Sequence, residues 1–160
     1  MDTFKNILVV SRSTENCIKV LETGISMARN CNAKLHVLHV IYDPYYYNGW
    51  NFPFSTFNEE IEKLSERARE EIAEIIRAEK AEGMDIEETI KYGKPIDEIQ
   101  RIVEAEGVDL ILMQAHEEGR LEHFLFGRTN EDVIRHMPAT LMLVKARPFF
   151  DGQQRIGRQW

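Results

Sequence analysis

No apolar run in this 160-residue chain approaches the roughly 20 residues that a bilayer-spanning helix needs, so no membrane span is expected. Cysteine is scarce. The two present, Cys17 and Cys31, fall on one helical pattern; such a pair reads as small buried or half-buried hydrophobes, not as a disulfide or a metal-binding set. Basic charge is also short, with 20 Lys and Arg against 27 Asp and Glu and a formal net charge of -7. Without a concentrated basic face, nucleic acid is not an expected partner. The apolar start has no basic n-region before it, so it reads as a strand rather than a signal peptide, and a cytoplasmic protein is expected. Internal repeats and low-complexity tracts are missing too. What remains is a 43% hydrophobic, 29% charged chain, the composition of a globular domain.

Its organisation follows from changes of period. Asn6–Ser11 is a short continuous apolar run, as in a strand covered on both faces. From Thr14, a plausible N-cap, Ile18, Leu21, Ile25 and Ala28 recur at helical spacing. A second strand is expected over Ala33–Ile41, then a connection broken by Pro44, Gly49 and Pro53, then a long helix over Ser55–Gly83 with Ile61, Leu64, Ala68, Ile72 and Ile75 on one face. Asp85–Tyr92 is the third strand. Pro95 suits the first turn of the next helix, Ile96, Ile99 and Val103 form its buried stripe, and Gly107 stops it. Val108–Met113 is the fourth strand, followed by a polar link from Gln114 to Gly127, a last helix over Thr129–His136, and a fifth strand over Thr140–Val144.

Strands alternating with helices predict an α/β fold: a five-stranded, mostly parallel sheet with helices on both faces. Residues 1–146 are expected to form one domain, and 147–160 a C-terminal tail. With the order 3-2-1-4-5, ligands are expected beyond the carboxyl ends of strands one and four, where the winding reverses.

Four segments, Lys5–Val10, Gly93–Ile99, Gly107–Met113 and Arg135–Pro138, in this order and spacing, give the chain from Asn6 to Lys145 a resemblance to the universal stress protein family. The resemblance implies a Rossmann-like sheet of the adenine nucleotide alpha hydrolase type, commonly dimeric through the last strand. It also implies where a nucleotide would sit. Members that hold ATP carry an Asp after the first strand and a Gly-x2-Gly-x9-Gly-Ser/Thr segment after the fourth. The corresponding crevice here comprises Ser11, Arg12 and Ser13, Val40, Met113, Gln114 and His116, and Gly127, Arg128 and Thr129.

Against that pattern the site is altered in three places. Arg12 stands at the Asp position, and a guanidinium donates hydrogen bonds but never accepts the one an adenine amino group offers. Gln114 and Glu117 stand where glycines would let the backbone approach phosphate; only Gly127 of the three is kept. Glu117 and Glu118 add negative charge, and two unit charges about 4 Å apart repel by up to ~4 kcal/mol at an effective dielectric of 20, roughly a thousandfold in affinity. A regulatory, stress-response protein that binds rather than catalyses, with ATP weak or absent, is therefore expected. Two alternatives stand beside it. One is an ATP- or AMP-binding sensor in which Arg12, Arg120 and Arg128 rebuild the anion site; the other is an adaptor that engages a partner or apolar ligand through the aromatics between Tyr42 and Phe57.

No catalytic constellation emerges. His36 and His39 are three apart on a strand and point to opposite faces, so they cannot hold one metal together; no metal site is expected. A homodimer through Leu141, Met142, Leu143 and Val144 is expected, because that strand would otherwise leave an apolar sheet edge open.

Overall fold

The computed structural model describes residues 4–11, 16–41, 55–115 and 137–145. The expected cap at Thr14, the aromatic connection over 42–54, the last helix over Thr129–His136 and the tail from Arg147 lie outside them. Among the described residues the elements run β1 (Asn6–Ser11), α1 (Asn16–Cys31), β2 (Lys34–Ile41), α2 (Ser55–Ala81), β3 (Ile86–Tyr92), α3 (Pro95–Glu106), β4 (Leu110–Ala115) and β5 (Thr140–Lys145). The sheet order is β3-β2-β1-β4-β5, and every pairing is parallel.

The inner strands β1 and β4 are buried along their length because both sides of the sheet are covered there. Ile7, Val9, Leu35, Val37, Leu110 and Leu112 point toward α1 and α2, where Leu21, Ile25, Ile72 and Ile76 meet them. On the opposite face, Leu8, Val10, Leu38, Val40, Ile111 and Met113 meet Ile99 and Val103 of α3. Both cysteines lie on α1; Cys17 is buried and Cys31 half-buried, and neither is in a disulfide.

Helix ends follow their local chemistry. Asn32, at φ 53, ends α1 in the left-handed conformation that Asn tolerates better than most residues. Pro95 opens α3, with Asp97 and Glu98 in its first turn, where carboxylates complement the helix dipole. Gly107, at φ 61, closes α3; the N–H groups of Gly107 and Val108 both return to the Val103 carbonyl, a stop that glycine adopts without strain. The next turn ties two strands together. The Asp109 carboxylate accepts from the N–H groups of Lys5 at 2.8 Å and Asn6 at 3.3 Å, and its own N–H donates to the Asn6 carbonyl.

One boundary differs in a way that matters. The fourth strand starts two residues later than expected and runs on through Gln114 and Ala115, which pair in register with Val144 and Lys145. The expected polar link begins only after Ala115, because β5 offers a ladder partner that no local pattern in the sequence discloses.

Gly24 marks the closest packing of α1 on the sheet, since a Cβ there would stand well inside van der Waals contact with Val9 Cγ2. Alanine gains about 1 kcal/mol of helix propensity over glycine, whereas forcing an extra methyl into a packed core costs roughly 1–3 kcal/mol. Gly24→Ala is therefore expected to destabilise the protein despite the better helix former, seen as a lower denaturant midpoint; an unchanged or higher midpoint contradicts this packing.

Candidate functional site

The carboxyl ends of β1 and β4 lie side by side at the point where the winding reverses, the position at which α/β sheets of this kind take ligands. Of the residues expected there, the described ones are Ser11, Val40, Met113 and Gln114. All four are buried. Val40 and Met113 share the α3 face of the sheet with Leu8 and Ile111, so they form an apolar floor at the strand ends. Arg12, Ser13, His116, Gly127, Arg128 and Thr129 lie outside the described residues, as do Glu117 and Glu118.

Gln114 is 8% exposed. Its backbone and that of Ala115 are paired in the β4–β5 ladder.

The structure also brings together groups that the spacing of residues did not disclose. Ser11 is in register with His39, and His39 Nε2 lies 2.9 Å from Glu88 Oε1 on β3. The two histidines of β2 do face opposite sides, as their spacing requires: His36 stands beside Glu87, and His39 beside Glu88. Both rings are nearly fully buried, and His36 Nε2 and His39 Nδ1 have no hydrogen-bond partner among the described residues. A neutral ring satisfies this best: His39 donates its Nε2–H to Glu88 and leaves only a lone pair at Nδ1, which is less costly to bury than an unpaired N–H or a charge. Register, not local sequence, sets these pairs.

Burial holds the pKa of His39 below its ordinary 6.5, even though Glu88 pulls it upward. His36 is lowered too, first by burial and then by the charge of Lys34. Desolvation outweighs the carboxylates because both rings are almost fully buried, whereas the Glu87 and Glu88 side chains keep contact with solvent that screens them. At the far end of β2 and β3, Lys34 donates to Glu87 at 2.7 Å and lies 3.5 Å from Glu106.

Among the described residues no helix is long and apolar enough to cross a membrane. The fold and its crevice place the chain in the class of doubly wound α/β proteins that carry their ligand site at the β1/β4 switch point. Its sequence narrows that class, for residues 3–145 match the model of the universal stress protein family. The chain belongs to that family. A putative universal stress protein of Staphylococcus haemolyticus is 26% identical over 146 residues, covering 91% of this chain and 87% of its own. A universal stress protein of Methanocaldococcus jannaschii is 32% identical over 100 residues, 62% of either chain; its solved structure covers 92% of this chain and 99% of its own with a TM-score of 0.62 and 26% identity. A family protein of Arabidopsis thaliana, solved with AMP bound, covers 90% of this chain and 93% of its own with a TM-score of 0.54 and 15% identity.

The buried histidines give stability a direction in pH. In the unfolded chain they take up protons as pH falls through about 6.5, whereas in the folded protein their lowered pKa values delay this. Their contribution is complete above pH 6.5 and is lost as pH falls below it toward the folded values. Urea midpoints are expected to drop between pH 7 and pH 5. His39→Gln, which keeps a donor near the Nε2 position but cannot titrate, should drop less over that interval; an equal drop in both proteins contradicts the assignment.

Proposed function

We propose that this chain is a cytoplasmic regulatory protein of the stress response that acts by binding rather than catalysis and holds ATP weakly or not at all. The observation that carries this reading is Gln114, buried at the end of β4 with its neighbour Ala115 still in the strand ladder. A glycine there leaves room for phosphate and frees the backbone to turn toward it; a buried Gln in extended backbone does neither. Arg12, Glu117 and Glu118 in the sequence act in the same direction, against adenine and against polyphosphate.

A second reading is a nucleotide sensor with a reshaped site. The AMP in the Arabidopsis relative supports it, because AMP brings a single phosphate and so meets less of the opposing charge than ATP does. Calorimetric titration separates the two. The first reading expects no saturable ATP binding, and the combined change Arg12→Asp, Gln114→Gly, Glu117→Gly and Arg128→Ser is expected to create or strengthen it. Micromolar ATP affinity in the parent protein overturns the first reading, and tight AMP binding alone supports the second.

The partner we propose is a second copy of this chain. β5 pairs with β4 on one side and forms the sheet's edge on the other, and it exposes Met142 and, at 49%, Leu143. Pairing of two such edges about a two-fold axis covers them. Sedimentation is expected to show a dimer that Leu143→Lys dissociates while leaving the helical circular dichroism unchanged, since the side chain is half exposed in one subunit; a monomeric parent protein contradicts it.

A further inference from the structure

His36, Glu87 and Glu106 converge at the amino ends of β2 and β3 and the last turn of α3, the end of the sheet opposite the nucleotide crevice. One donor atom from each lies within 4.8 Å of the others. We propose that these three residues form a binding site for a divalent cation of the zinc class, with Lys34 standing in as the cation when no metal is bound.

Carboxylates alone would not support this, because exposed acidic side chains are ordinary. The second observation is the imidazole. His36 is 4% exposed, its Nδ1 faces Glu87 Oε2 at 3.8 Å, beyond hydrogen-bond reach, and its Nε2 has no partner among the described residues. The ring is held in the core with Nδ1 toward Glu87 and Nε2 without a partner among the described residues, so a ring that ligates through Nδ1 keeps its one proton on Nε2. Bonds of roughly 2.0–2.2 Å to nitrogen and oxygen place tetrahedral zinc ligands about 3.4 Å apart, so the Nδ1–Oε2 separation needs to close by only a few tenths of an ångström.

Charge balance points the same way. Two carboxylates and a neutral imidazole neutralise a divalent ion. Lys34 now lies 2.7 Å from Glu87 and 3.5 Å from Glu106. Its side chain is 30% exposed, on a flexible stem that can swing into water when a cation with twice its charge arrives. A nitrogen donor among oxygens favours zinc over magnesium or calcium. Three protein ligands leave a fourth position for water.

Zinc titration of the chelator-treated full chain, followed by calorimetry and by the thermal transition, tests the proposal. Expected are one saturable equivalent of zinc, a raised transition temperature, and no comparable response to magnesium. Glu106→Gln and Glu87→Gln, both changes at exposed positions, should each weaken zinc at least tenfold, whereas Lys34→Met should strengthen it at least tenfold by removing the competing ammonium. Circular dichroism confirms that each variant is folded. No saturable binding in either the parent or Lys34→Met overturns the proposal, as does zinc binding that both glutamate changes leave intact.

Discussion

The burial of β1 on both faces and both edges is the constraint on which the rest of the structure depends. Ile7, Leu8 and Val9 have no exposed surface, so each of their neighbours must present apolar atoms and each backbone group must find a ladder partner. β2 and β4 supply the ladders. Asp109 fixes where they start, binding the first N–H groups of the strand from the turn that follows α3. On one face α1 approaches so closely at Gly24 that no side chain fits between it and Val9. With β1 so fixed at its beginning, its carboxyl end at Ser11 is held beside His39 and the end of β4, which is where the crevice opens.

Much of this fold is legible in the sequence because buried parallel strands leave a simple record. The continuous run Asn6–Ser11, the helical stripe of α3 through Ile96, Ile99 and Val103, its start at Pro95 and its stop at Gly107 are local features with local physical causes. What local sequence does not hold is register. That Gln114 and Ala115 belong to a strand follows from their pairing with Val144 and Lys145, some thirty residues away. The Glu87 and Glu88 partners of the two β2 histidines follow from the β2–β3 alignment in the same way. The spacing of His36 and His39 foretold that they face opposite sides; it held nothing about which carboxylate each would meet. The crevice itself is legible chiefly through family resemblance, with Ser11, Val40, Met113 and Gln114 as its described part.

The two ends of the sheet carry different chemistry. At the carboxyl ends of β1, β2 and β4 the described residues Ser11, Val40, Met113 and Gln114 are buried and uncharged. At the amino end Lys34, His36, Glu87 and Glu106 gather within a few ångströms of one another. Between them lie the two close-packed clusters of aliphatic side chains on either face of the sheet.

The two edges differ as well, and the difference bears on assembly. β3 carries Glu87, Glu88 and Lys91 along its length, charges that discourage uncontrolled pairing with another strand. Ile90 and Tyr92 are exposed there, yet they share the edge with those charges. β5 reads Thr-Leu-Met-Leu-Val before its single Lys145. An isolated edge of this composition is a ready template for uncontrolled pairing, and a closed two-fold contact is the arrangement that satisfies it without allowing a filament. The charge on β3 and its scarcity on β5 make β5 the edge more open to another strand.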